Sequence, residues 1–140
     1  MLREHYRCHP KIINFCNQKF YGGQLAIMTE DRGEADVISA WRTVPGDHAR
    51  GQFNQREIEV VAREVLPNLP YDSAEIGVIT PYNELVSALS NRLGGNIDVA
   101  TVHKFQGREK DAIVMSTVDD TIKTFVDDPN LAQVLFSCLR

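Results

Sequence analysis

At 140 residues, 43% hydrophobic and 24% charged, the chain has the length of one domain and an ordinary globular composition, which disfavours disordered and fibrous classes. Its formal net charge of −4 argues against a general nucleic-acid coat, so nucleic-acid contact is expected in a local groove rather than on a uniformly basic face. No apolar run nears the roughly 20 residues that a membrane-spanning helix needs, so no membrane partner is expected.

The chain opens on Leu2-Arg3-Glu4-His5-Tyr6-Arg7-Cys8-His9-Pro10, after which Ile12, Ile13, Phe15, Cys16 and Phe20 recur at helical spacing. Pro10 is placed to start that helix and Tyr21-Gly22-Gly23 to stop it. So dense a polar and aromatic opening reads as a domain cut from something larger. Cys8, Cys16 and Cys138 are odd in number and widely spaced, which with no signal-like N-terminus argues against a disulfide framework and for a reducing cytoplasm. Cys8-His9 and Cys16 do not have the usual zinc-ligand spacing. Cys16 is expected in the core, and no metal site is expected.

Residues 30–34 are polar, and Ala35-Asp36-Val37-Ile38-Ser39-Ala40-Trp41 is a strand candidate of mixed periodicity. A loop is expected over 43–52. Asn54 and Glu57 have the spacing of a reciprocal cap, each side chain accepting from the other residue's backbone N–H. Ile58, Val61, Val65 and Leu66 then predict an amphipathic helix that ends near Leu69-Pro70. Ile76-Gly77-Val78-Ile79 predicts a buried parallel strand ending at Thr80-Pro81-Tyr82, before a helix carrying Leu85, Val86, Leu89 and Leu93 that Gly94-Gly95 closes. The hydroxyl, proline and ring at that strand end fit a stiff packed turn as well as a binding site.

Two further apolar runs, 97–100 and 112–116, flank the polar stretch Thr101-Val102-His103-Lys104-Phe105-Gln106-Gly107-Arg108-Glu109-Lys110-Asp111. A polar stretch leaving a strand end is where ligands sit in an open α/β sheet. A final apolar helix is expected from Pro129 to Arg140. Strands alternating with helices predict one α/β domain over 1–140 with a mainly parallel sheet. Thr80, Thr101 and Phe105 should share its carboxyl edge.

The polar stretch resembles motif V of the superfamily 1 helicases, commonly T-V-(D/H)-x-F-Q-G-x-E-x-D. Residues 5–10 resemble motif IV of the 5′-to-3′ branch, often Q-Y-R-M-H-P, with Cys8 in the place of Met. These helicases hold ATP between two RecA-like lobes, and motifs IV, V and VI belong to the second. The 140 residues contain neither a G-x-x-x-x-G-K-(S/T) loop nor an acidic Walker B run. The resemblance therefore implies a RecA-like second lobe of the P-loop NTPase class, which binds ATP and Mg only with a missing N-terminal lobe that carries the phosphate-binding loop. Alone it should not turn ATP over.

Carried over from the family, Tyr6 would stack on adenine and Arg7 would act catalytically at the γ-phosphate, where a forked guanidinium suits phosphate oxygens. The bland alternative for Arg7 is an ion pair with Glu4. Gly107 would let the backbone approach the nucleotide, and Glu109 would accept from the ribose hydroxyl. Thr80, Pro81, Tyr82, Thr101, His103 and Lys104 would face single-stranded DNA or RNA, and Gln106 would couple the two sites. Lys104, Arg108 and Lys110 supply local positive charge, although Lys110 reads best as a solvated loop residue.

Residues 127–140 align with motif VI, D-D-P-x-x-L-N-V-A-(V/I/L)-(S/T)-R-A-(K/R), but Gln133, Leu135 and Cys138 replace its Asn, Ala and Arg, and the strand that follows in the family is not present. The resemblance thus implies a lobe truncated at a degenerate motif VI. The alternative is a stand-alone nucleic-acid-binding or regulatory module that has lost the ATPase chemistry. No other catalytic constellation supports a self-contained small enzyme.

Overall fold

Ile76-Gly77-Val78-Ile79-Thr80 is buried at every position, as an apolar run covered on both faces should be, and the main sheet is built around it. In the computed structural model, which describes residues 4–6, 8–43, 49–50 and 53–118, four short strands and two α-helices precede this strand. They are β1 (Glu4–His5), α1 (Pro10–Phe20), β2 (Ala26–Ile27), β3 (Ala49–Arg50), β4 (Phe53–Asn54) and α2 (Gln55–Val60). The strand itself is β5 (Ile76–Thr80); α3 (Asn83–Leu93), β6 (Asp98–Thr101), the single turn α4 (Val102–Phe105) and β7 (Ala112–Met115) follow. β5 lies between β6 and β7 and runs parallel to both. β1 and β2 form a parallel pair, β3 and β4 an antiparallel one. The expected α/β class with a mainly parallel sheet is what the described residues form. Arg7 and the helix expected over 129–140 lie outside them.

Side chains alternate across a strand, and β5 divides its own between two apolar clusters. Val78 packs with Ile58, Val61, Leu85, Leu89 and Val118 on the face covered by α2 and α3. Ile79 packs with Ala100, Val102 and Phe105 on the other. Leu85 and Leu89 stand four apart on α3, so one stripe of that helix meets the sheet. α2 runs on through a π turn, Val61–Val65, and a 3₁₀ turn, Leu66–Asn68, stopping where the sequence predicts. A third cluster joins Cys8, Ile13 and Cys16, so Cys16 is the core residue expected.

Two local expectations are corrected. Residues 35–41 form no strand: Asp36 has φ +55, which breaks an extended backbone. Ile38 and Trp41 stay 60% and 51% exposed, so no buried face rewards pairing there. The reciprocal cap forms only in half. Asn54 Oδ1 accepts from Arg56 N–H at 3.0 Å and Glu57 N–H at 3.3 Å, but the Glu57 carboxylate accepts from Ser116 and Val118 instead. Donors at the end of β7 outcompete the helix's own. A reciprocal bond of this kind occurs at Asp72, whose N–H donates to Glu75 Oε2 at 2.8 Å.

Asn17 looks like an ordinary exposed helix residue in the sequence, yet it is buried. Its amide donates to Leu25 C=O at 3.0 Å and accepts from Leu25 N–H at 2.9 Å, as a paired strand would. Asn17→Ala leaves both backbone groups without this partner, so a stability loss of about 1 to 3 kcal/mol is expected. Urea denaturation midpoints measure it; a midpoint within error of wild type would mean that water replaces the amide at no cost.

Candidate functional site

Thr80 of β5 pairs in register with Thr101 of β6, and Ser116 N–H, just past β7, donates to Ile79 C=O at 3.0 Å. All three strands therefore end at one edge, the carboxyl edge, where open α/β sheets bind ligands. Thr80, Pro81 and Tyr82 leave it from β5; Thr101 and α4 leave it from β6. The sequence expectation holds for Thr80 and Thr101, which share this edge; Phe105 instead lays its ring on the face of the sheet over Gly77, toward the amino end of β5.

α4 is one helical turn, so positions 102 and 105 share a face. Val102 and Phe105 point into the sheet and are buried, while His103 and Lys104 between them are exposed. Space for the ring is made at Gly77. A Cβ there would overlap Phe105 Cζ and come within 3.0 Å of Ile113 Cδ1 and 3.1 Å of Phe105 Cε1. Exposed Gln106 and Gly107 close the turn, with Gly107 at φ +85. Among the described residues nothing lies within 4 Å of a Cβ built at Gly107, so here glycine serves the left-handed turn.

Beyond Gly107 the chain runs back toward the amino end of β6. The Arg108 guanidinium pairs with Asp98, the first residue of β6, and lies 5.6 Å from the Phe105 ring centroid. Lys110 Nζ donates to Ala74 C=O at 2.7 Å and lies 3.8 Å from Asp98 Oδ2. Lys110 is thus a tie between loop and sheet, not the solvated residue expected, because Asp98 and the Ala74 carbonyl offer it partners. Both cations are engaged by Asp98, whereas Lys104 is exposed beside His103. Glu109 is exposed.

Thr80 is fully buried and its hydroxyl finds no hydrogen-bond partner among the described residues; Thr101 is buried and Pro81 half-buried. The half-buried Tyr82 packs against the α2 and α3 cluster. Tyr6 lies on the β1 and β2 side, not on the three-stranded sheet. Its ring is 62% exposed, its hydroxyl donates to Glu4 Oε2 at 2.6 Å, and that bond raises its pKa. The alternative considered for Arg7, an ion pair with Glu4, lies outside the described residues.

Sequence spacing hid a cluster beside motif IV. His9 Nε2 lies 3.4 Å from Asp31 Oδ1 and 3.2 Å from Glu34 Oε2, three potential metal ligands together. His9 Nδ1, however, accepts from Lys11 N–H at 3.1 Å as the cap of α1. The ring's proton therefore sits on Nε2, where it donates to the carboxylates instead of offering a lone pair. Lys11 Nζ lies 3.6 Å from Asp31 Oδ2 and donates to Glu34 C=O at 3.0 Å. Asp31 is held below its ordinary pKa, mainly by the Gly33 N–H, and Glu34 mainly by its own N–H. The cluster closes on its own donors and does not fit a cation.

Across residues 1–135 the chain matches a protein family described as an AAA domain. It is 29% identical over 154 residues to the DNA polymerase alpha-associated DNA helicase A of Saccharomyces cerevisiae, covering 84% of this chain and 22% of that protein. With a regulator of nonsense transcripts 1 homolog of Neurospora crassa the identity is 30% over 165 residues, 95% of this chain and 15% of that one. An uncharacterised ATP-dependent helicase of Caenorhabditis elegans is 26% identical over 158 residues, 97% and 10%. The chain therefore spans less than a quarter of each of these relatives. Among the described residues no helix is long and apolar enough to cross a membrane.

Proposed function

Because the chain belongs to the AAA domain family and is a RecA-like, helicase-family domain, we propose that it is the second motor lobe of a superfamily 1, ATP-dependent helicase. It meets single-stranded DNA or RNA along the carboxyl edge of its sheet. The observation that carries this is the register of Thr80 with Thr101. It sets two helicase-like stretches, separated in sequence, side by side at the edge where ligands bind in this fold class.

The nucleic-acid backbone runs over α4, where His103 and Lys104 are exposed. Buried Thr80 and Thr101 form the floor beneath it, and Pro81 and Tyr82 its flank. At the nucleotide side, the exposed Tyr6 ring has the free face that stacking on adenine needs, with its hydroxyl steadied by Glu4. Glu109 accepts from the ribose hydroxyl, and Gly107 gives the turn that delivers it. Gln106, between the two, couples them. ATP hydrolysis supplies the free energy for movement along the strand. The phosphate cradle and the Mg site come from a first lobe, and Arg7 is the residue assigned to the γ-phosphate.

Titration of the 140-residue chain with a fluorescent single-stranded oligonucleotide tests this. Weak binding is expected that falls as salt rises, by about 0.7 in log–log slope for each phosphate neutralised. Lys104→Ala should weaken binding and lower that slope by about 0.7, and the chain alone should not hydrolyse ATP. Absence of binding at low salt, a slope unchanged in Lys104→Ala, or ATP hydrolysis that persists in Arg7→Ala would each count against the proposal.

A further inference from the structure

Val118 is a β-branched residue with φ +69, a region such residues avoid unless the surroundings hold them there. The structure holds it from three directions. Its side chain is 1% exposed, packed in the cluster of Ile58, Val61, Leu85 and Leu89. Its N–H donates to Glu57 Oε2 at 2.9 Å. Its carbonyl accepts from Asn54 Nδ2 at 3.5 Å. The same Glu57 oxygen accepts from the Ser116 hydroxyl at 2.5 Å. Asn54 and Glu57 start α2, some 60 residues earlier in the chain, and Asn54 also caps that helix. One helix start thus clasps the chain as it leaves β7, beside the edge where β5 and β6 end.

We infer that Glu57 is a positioning residue. With Asn54 it fixes Val118 in the left-handed conformation and so sets the direction of the backbone at Val118, just past β7. The significance of that direction rests on the helicase proposal, since the sequence that follows includes the Asp127-Asp128-Pro129 stretch aligned with motif VI. A carboxylate suits the task because it accepts from the hydroxyl and the amide together, and charged acceptors make the stronger bonds. The left-handed turn cannot be left to Val118 itself, as it could to glycine.

The test reads the backbone of the 140-residue chain and needs neither nucleotide nor nucleic acid, so its failure is distinct from failure of the helicase proposal, which oligonucleotide titration reads. Backbone couplings and carbon chemical shifts report φ at Val118, and amide exchange reports its N–H. In Glu57→Ala, Val118 should leave the left-handed region and its amide protection should fall about tenfold or more, while Val78 in β5 keeps its own. Glu57→Gln keeps an acceptor but not the charge, so φ should stay positive and protection should fall several-fold. If Glu57→Ala does not fold, shown by loss of protection at Val78, the Glu57→Gln result decides. Val118 protection that is unchanged relative to Val78 in the variants that fold overturns the inference.

Discussion

Phe105→Ala is expected to cost about 3 to 5 kcal/mol of folding stability, a large fraction of the roughly 5 to 15 kcal/mol that a domain possesses. The ring is fully buried with Ile79, Ala100 and Val102, and alanine leaves a cavity between α4 and the sheet. With Val102 it is also what anchors the turn that carries His103 and Lys104. Gly77→Ala should fail from the opposite side. The added methyl overlaps the ring, and overpacking of this kind costs about 1 to 3 kcal/mol. Because the two changes act on one space, Gly77→Ala with Phe105→Leu should destabilise less than the sum of the singles. Urea denaturation of the four proteins gives the cycle; strict additivity would sink the contact.

How much of this was legible beforehand depends on how far apart the partners lie. β5, β6 and β7 could be read because their apolar runs are continuous and bounded, and α3 because Leu85 and Leu89 keep helical spacing. The edge shared by Thr80 and Thr101 followed from parallel pairing alone. Phe105 belonged to a recognisable motif, but that it is what the turn stands on needed Gly77, 28 positions earlier and silent in the sequence.

The misses share a physical cause. In sequence Glu57 pairs with Asn54, three residues away, and nothing local reveals donors 59 and 61 residues further on. Asn17 and the His9 cluster are likewise polar groups whose partners arrive from later in the chain. Residues 35–41 had the composition of a strand without a buried face or a pairing partner, and β propensity reflects packing more than backbone preference. The sequence reads Lys110 as solvated and Lys104 as a nucleic-acid contact; the Asp98 and Ala74 partners that tie Lys110 down lie 12 and 36 positions earlier and could not be seen locally.

Stability should also fall steeply in alkaline solution because of two thiols. Burial pushes Cys8 up to about 11 and Cys16 up to about 12, from an ordinary value of 9.0. Below the unfolded value both states carry neutral thiols and the folded chain keeps its full stability. As pH rises above it, the unfolded chain ionises while the native core resists, so native stability drains away until the folded thiols ionise too. The slope is about 1.4 kcal/mol per pH unit for each thiol in that window. Lysines and tyrosines titrate nearby, so the informative quantity is the difference from Cys8→Ala with Cys16→Ala. That variant starts less stable at neutral pH but should lose less between pH 9 and about 11. Alkylation offers a second measurement. At mildly alkaline pH the native chain's thiolate fraction at Cys16 should be about a thousandfold below that of the denatured chain, so native labelling should wait on unfolding. Parallel stability curves for the two proteins, or rapid native labelling of Cys16, would show that the thiols are not held neutral by this core.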